Sequence, residues 1–294
     1  MKQEIICEKC KGKNIKKDGV RKTKNRGYVQ RYRCKDCSYR FSIDDGFWKM
    51  KNNEKKITAC INMYYAGMSL RKIQEHLQMF APKNCHYSTI YRWIVKYSKM
   101  ISKFTDKLQI RSGQELMSDE MEYRRLGEQN WFVDVMDAET RFMVASDYMK
   151  SRTIENLTNV LKKSKIATNG NVKIITTDGL QGYPRVLRKV FGLNRIKGKS
   201  KIIHNVVIAD ERGFIHKIER LHNTIRDRTK IMRGFHGSLE SAKAITKGFE
   251  IYYNFIRKHQ GIDRKTPSEL AIPELDLSTN RWLSLIKLSK TNKI

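Results

Sequence analysis

Four cysteines in two matched pairs, Cys7-Glu8-Lys9-Cys10 and Cys34-Lys35-Asp36-Cys37, are separated by 23 residues. Two CxxC units can place four thiolates around one Zn²⁺, because a two-residue spacer lets both sulfurs of a pair face the same ion. A disulfide or a thioredoxin-like redox pair would use the same residues, but two paired CxxC units are unusual for a redox enzyme. Three carboxylates form the second set. Asp119 and Asp178 stand on or at the ends of apolar strand-like runs, and Glu219 lies in a helical stretch. Three converging carboxylates supply hard oxygen ligands, which suit Mg²⁺ or Mn²⁺, and such ions activate a nucleophile and stabilise a leaving oxygen on a phosphodiester. Asp134, Asp137, Asp210 and Glu211 compete for these places.

The charge balance favours a polyanionic partner. The 294 residues carry 60 Lys+Arg against 30 Asp+Glu, a formal charge of +30. Each cation set beside a phosphate releases a condensed counterion, so such a chain binds nucleic acid readily. Hydrophobic residues at 39% exclude global disorder. Nothing approaches the ~20-residue apolar run of a membrane span. The start Met1-Lys2-Gln3-Glu4 lacks the apolar segment of a signal peptide. The expectation is a cytoplasmic, nucleoid-associated protein with no membrane partner.

These residues need elements to hold them. Residues 1–40 contain 14 Lys+Arg and 4 Asp+Glu, with Tyr28 and Tyr32 among the charges. So short a segment builds little core, so a bound metal would have to stabilise it. Residues 54–101 show helical periodicity in three pieces. Ile57, Cys60, Ile61 and Tyr64 make one stripe, with Asn53 as N-cap and Gly67 past the end. Ser69 caps a second piece carrying Leu70, Ile73 and Leu77. After a loop through Pro82, Ser88 opens a third whose apolar side is Ile90, Trp93, Ile94, Tyr97 and Ile101. A basic third helix after a tight turn fits a helix-turn-helix, in which that helix enters the major groove amino end first. Thr89, Tyr91 and Arg92 are then the base-facing candidates, with Lys96 a further DNA-binding residue on the basic side; a plain three-helix bundle would show the same periodicity.

From about residue 111 the pattern turns strand-like. Leu116–Asp119, Trp131–Met136, Arg141–Ala145 and Val172–Thr177 read as strands, with helices from about Thr153 to Lys165 and from Pro184 to Phe191. Antiparallel strands followed by an alternating strand and helix predict a mixed sheet flanked by helices. In the last helix Ile218, Leu221 and Ile225 form the buried stripe. Glu219, His222 and Arg226 share a neighbouring stripe about 100° around.

Taken together these segments resemble the DDE transposases of small prokaryotic insertion sequences, whose catalytic core has the fold of ribonuclease H and retroviral integrase. The resemblance runs from about Cys7 to Pro273. It is carried by Gln30–Cys37 with Phe41, Ser118-Asp119-Glu120, Thr176-Thr177-Asp178-Gly179 with Tyr183-Pro184, Ile218–Asn223 with Arg226–Lys230, and Tyr253–Gly261 with Thr266-Pro267. It implies a multidomain α/β chain: a zinc ribbon over 1–45, a helix-turn-helix DNA-binding domain over 52–104, a ribonuclease H-like DDE catalytic domain over 112–274, and a basic C-terminal tail or helix over 275–294. It implies that Asp119, Asp178 and Glu219 hold Mg²⁺ or Mn²⁺, that Cys7, Cys10, Cys34 and Cys37 hold Zn²⁺, and that Arg226 positions DNA. The separation from Asp178 to Glu219 is 41 positions, longer than usual in that family, which keeps Glu211 as a rival third ligand. The implied activity is metal-dependent phosphodiester hydrolysis and strand transfer at the ends of the protein's own mobile element. Its implied partners are double-stranded DNA, as element ends and as target, and further copies of the chain on paired ends. Two other readings use the same residues: a DNA-binding regulator or inactive relative without strand transfer, and a ribonuclease H-type nuclease or resolvase that only hydrolyses.

Overall fold

The computed structural model describes residues 5–23, 27–81, 84–194, 199–207, 216–229, 232 and 234–291. Pro82, Asp210 and Glu211 lie outside the described residues. At the amino end, β1 (Ile15–Thr23), β2 (Gly27–Cys34) and β3 (Arg40–Phe41) form a three-stranded antiparallel sheet. Its strands are mostly exposed, and among their described residues only Cys34 and Phe41 are buried. The apolar poverty of this segment, read from its composition, is therefore real.

Three helices follow: α1 (Glu54–Tyr65), α2 (Leu70–Phe80) and α3 (Tyr87–Thr105). The Asn53 side chain accepts from the N–H of Lys56, and that of Ser69 from the N–H of Lys72, so both expected caps are in place. The third helix starts earlier than expected. His86, not Ser88, is the N-cap, and its Nδ1 accepts from the backbone N–H of Ser88 at 3.3 Å. An imidazole nitrogen here does what a hydroxyl usually does.

The second half is built on β4 (Glu115–Glu122), β5 (Trp131–Asp137), β6 (Met143–Met149), α4 (Ile154–Ala167), β7 (Ile174–Thr177), α5 (Tyr183–Phe191), β8 (Leu193–Asn194), β9 (Lys199–Ser200) and β10 (Ile203–Val206). Five strands make one sheet in the order β10-β7-β4-β5-β6. The pairs β10–β7 and β7–β4 are parallel, and β4–β5 and β5–β6 antiparallel. This is the mixed sheet flanked by helices that the sequence predicts. The strand expected from Arg141 begins at Met143 instead. Asp137 accepts from Thr140 N at 2.8 Å and from Gly113 N at 2.9 Å, and Arg141 adopts φ 59°, so the tight turn extends two residues further.

Then come α6 (His216–Thr229), α7 (Leu239–Ile251), a π-helical turn (Tyr252–Ile256), α8 (Pro267–Ala271) and α9 (Arg281–Thr291). Ile218, Leu221 and Ile225 of α6 are buried, as the stripe predicts. The amino-terminal helices dock on the second half through Tyr65. Its hydroxyl lies 2.9 Å from Ser98 Oγ and donates to Ile245 O at 3.3 Å, while its ring meets Phe249 edge-on at 5.0 Å and stacks on Trp282 at 5.5 Å. One fully buried side chain thus joins α1, α3, α7 and α9. Among the described residues no helix is long and apolar enough to cross a membrane.

The close approach of α7 to α1 requires Gly248, because a Cβ there would overlap the Tyr65 phenol. Gly248→Ala should therefore destabilise the chain by about 1–3 kcal/mol through overpacking, seen as a lowered melting temperature. An unchanged melting temperature would mean that the helices are not docked through Tyr65.

Candidate active site and metal centres

Strand register brings the two aspartates together. Ser118 pairs with Thr177 across the parallel β4–β7 ladder, so Asp119, midway along β4, comes beside Asp178, which follows the carboxyl end of β7. Ligand sites of parallel sheets characteristically lie at such strand ends. Asp119, Glu120 and Asp178 offer carboxylate oxygens that all lie within 4.8 Å of one another. The third member of this cluster is Glu120, not the expected Glu219.

Burial and neighbouring charge show in the ionisation of Glu120 and Asp178. Burial, above all, pushes Glu120 up to about 7, with Asp178 and Asp119 adding to it. The Tyr183 hydroxyl, which donates to Glu120 Oε1, and Arg152 Nη1, 3.5 Å from Oε2, oppose the rise. Burial also raises Asp178, against the N–H of Leu180 that donates to its Oδ1 at 3.1 Å. Arg152 is itself held by stacking on Trp131, 3.9 Å from the ring centre. Trp131 is half-buried and serves as this platform.

Glu219 is exposed on α6. His222, one turn further on the same stripe, points inward: its Nδ1 lies 3.3 Å from Asp119 Oδ2 and its Nε2 2.6 Å from Asp134 Oδ1. Asp134 has no exposed surface and pairs directly with Asp119 across the β4–β5 ladder. Burial raises its carboxyl, and one of its oxygens, Oδ2, has no hydrogen-bond partner among the described residues. For His222, burial opposes the charge, but Asp134 and Asp119 outweigh it and hold the imidazole up to about 10. The stripe reading of α6 is correct, but the side chain that touches the aspartates is the histidine. Asp137, another sequence candidate, spends its carboxylate on the turn to Thr140. Glu219 sits about one 5.4-Å helical pitch from His222, and Arg226 one turn beyond it, exposed and with Nη1 donating to Asn223 Oδ1 at 3.4 Å.

The four amino-terminal cysteines also converge within 4.8 Å. The Cys7–Cys37 and Cys10–Cys34 sulfurs lie 3.6 and 3.5 Å apart. That is far beyond a ~2.05-Å disulfide bond and close to the ~3.8-Å edge of a tetrahedron with 2.3-Å Zn–S bonds. The N–H of Cys10, and then that of Lys9, outweigh burial and pull Cys7 down to about 7. Of the expected DNA-facing residues on α3, Arg92 and Lys96 are exposed and Thr89 is half-buried, bonded to Arg92 at 3.3 Å. Tyr91 does not share their stripe. It is half-buried, packs on the core, and faces Gly237 across a cavity between α3 and the segment before α7.

Residues 116–260 match the DDE domain family of IS240-type transposases. The chain is 22% identical over 213 residues to the transposase for insertion sequence element IS257 in transposon Tn4003 of Staphylococcus aureus, covering 71% of this chain and 87% of that protein. It has the same identity and coverage with the transposase for insertion sequence-like element IS431mec of Staphylococcus aureus strain Mu50. Among solved structures, the magnesium-bound HTLV-2 integrase catalytic core domain in its dimeric form superposes with a TM-score of 0.37 at 11% identity, over 55% of this chain and 97% of that one. A simian T-cell lymphotropic virus intasome superposes at 0.39 and 14% identity, over 56% and 57%.

Glu120 makes the site pH-sensitive in metal-free protein. Its folded value of about 7 exceeds the ordinary 4.5, so between those limits the native state holds a proton that the unfolded chain has released. Its contribution is present at low pH and is lost as pH rises through about 7. Glu120→Gln should abolish that part of the slope and stabilise chelator-treated protein above pH 7 by roughly 2–3 kcal/mol. Denaturant unfolding at pH 5 and pH 8 measures this; an equal gap between variant and wild type at both would refute it.

Proposed function

The chain belongs to the DDE transposases, DNA polynucleotidyl transferases, and from that premise we propose that it binds the ends of its own element, hydrolyses a phosphodiester there and transfers the resulting 3′-hydroxyl to target DNA. The observation that carries this reading is the register of β4 against β7, which gathers Asp119, Glu120 and Asp178 within 4.8 Å inside the family-matched segment.

The donor set fits a hard divalent cation, since it consists of carboxylate oxygens whose mutual repulsion a cation would relieve. Asp119 and Asp178 would hold it from the sheet, Glu219 would join from α6, and Glu120 stands beside them. Bound there, Mg²⁺ or Mn²⁺ would supply Lewis-acid stabilisation of the reacting phosphate oxygens and a nucleophile that needs no separate protein base. The chain's own residues orient the rest. His222, clamped by Asp134, fixes the Asp119 carboxylate and ties α6 to the sheet. Arg226, two turns from Glu219 on the same stripe, is placed to grip a phosphate of the bound strand.

The amino-terminal half supports a reader of DNA. We assign α2 and α3 as a helix-turn-helix, with Thr89, Arg92 and Lys96 on the stripe that faces DNA and Tyr91 withdrawn from it. The cysteine cluster is assigned as a zinc ribbon extending that reader. Assembly on paired ends, as a dimer or larger, belongs to the same proposal.

Asp119→Asn, Asp178→Asn and Glu219→Gln should each keep end binding and lose metal-dependent cleavage and strand transfer. The loss should exceed the ~10–100-fold controlled by groups behind the ligands, among which His222→Gln belongs. Cleavage by Glu219→Gln with a dead Glu120→Gln would move the third ligand onto β4. Wild-type protein that binds ends without ever cutting them would favour the regulator, and cutting without strand transfer the hydrolytic nuclease.

Purified chain should contain about one Zn²⁺, and Cys34→Ser should lose both the zinc and part of the end affinity while the melting of the remainder is retained. Metal analysis showing no zinc in freshly reduced protein would remove the ribbon.

A further inference from the structure

Away from the carboxylates, the other flank of α6 closes a small basic cavity of about 100 Å³, lined by Arg141, Lys217, Arg220, Thr224, Arg257 and His259, among others. At ~30 Å³ per water, that is room for roughly three waters. No carboxylate lines it. Among the described residues Arg141, Arg220 and Arg257 form no ion pair, and Lys217 donates only to Ala138 O, at 2.8 Å. Gathering four cations around one cavity costs Coulomb energy that an anion would recover.

The cavity is built rather than incidental. Arg141 adopts a left-handed backbone, φ 59°, which non-glycine residues rarely take; Asp137 holds that turn by accepting from Arg141 N at 3.0 Å. Its guanidinium lies against Gly261, where any Cβ would overlap it. His259 is fixed by Nε2 against Tyr253 O at 3.0 Å and by its ring on Tyr253, 4.4 Å between centres. Burial, and then the nearby Arg257 and Arg141, holds His259 down to about 4, so the imidazole stays neutral and the four cations set the potential.

We propose that this cavity is a subsite for one backbone phosphate of the DNA substrate. The proposal rests on the transposase reading and adds a second contact to it. Along α6, Lys217, Arg220 and Thr224 recur on one flank while Glu219, His222 and Arg226 occupy the other, with the buried Ile218–Leu221–Ile225 seam between them. The two flanks are separated by about one helix diameter, on the order of 10 Å, or roughly three nucleotides of rise along a duplex strand. A strand crossing α6 could therefore seat one phosphate in the cavity and present another to the carboxylates. The guanidinium forks suit bidentate contact with phosphate oxygens, and Thr224 supplies a hydroxyl.

The test uses the full chain, a 30-bp duplex and a chelator to prevent cleavage, with binding measured between about 50 and 200 mM salt. Loss of one phosphate contact lowers the slope of log K against log salt by about 0.9. R141Q/R257Q should show that reduction, and R220Q should weaken binding at low salt with the gap closing at high salt. If the double variant melts early, R220Q decides, since Arg220 is exposed and outside the core. Wild-type binding with unchanged slopes in both variants would overturn the subsite and leave the transposase reading standing; a cavity serving a free nucleotide would give that result. Wild-type protein that binds no duplex at all would overturn both.

Discussion

Asp134 sits without solvent contact directly across a strand pair from Asp119, and the imidazole of His222, within reach of both carboxylates, is what makes that arrangement tolerable. A buried carboxylate costs several kcal/mol unless it is paired and hydrogen-bonded. His222 meets the need from α6, so the helix must lie on the sheet at the place where its stripe can reach both aspartates. The positions of Glu219 one turn before and Arg226 one turn after follow from that clamp. So does the other flank of the helix, which can close over the Arg141 cavity only while the buried seam between the flanks stays seated. One buried histidine–aspartate contact therefore fixes the orientation of both flanks of α6.

The same economy governs how the amino-terminal helices meet the second half of the chain. Tyr65 has no exposed surface and bonds to α3 and α7 while stacking on α9. At the far end of α6, Arg228 donates to the carbonyl of Ala66, at the turn between α1 and α2. The helical domain is thus held at two points, by an aromatic cluster and by a guanidinium. Such contacts fix the helical domain against the sheet that carries the carboxylates, and fixed geometry of that kind is what positioning a substrate requires.

Much of this was legible in the residues. Helical stripes located α1, α2 and α6 because their apolar residues meet one core, and cap chemistry placed Asn53 and Ser69 correctly. The cysteine pairs announced their own convergence through spacing alone. What failed were features set by tertiary contact. Ser88 looked like a cap because hydroxyls usually are, but the helix begins two residues earlier and the His86 ring accepts from the N–H of Ser88 itself. Tyr91 looked base-facing on a helix whose other surface was not yet known to pack beside Gly237. Asp134 was one rival among several and Glu120 only the neighbour of Asp119 until strand register set both beside it, although a lone carboxylate within Trp131–Met136 was a usable signal: in an otherwise apolar strand it demands a buried partner. His222 was placed on the correct stripe, yet nothing local distinguished it from a surface histidine.

The central claim is that the middle of β4 and the end of β7, with α6, form one divalent-cation site. Anomalous diffraction from crystals of the full chain grown with Mn²⁺ would test it most directly. The account predicts a manganese peak within about 2.0–2.2 Å of carboxylate oxygens from both Asp119 and Asp178, with Glu219 drawn in from α6 and His222 still on Asp134. A manganese peak bound elsewhere, with Asp119 and Asp178 left free of metal at saturating Mn²⁺, would contradict it.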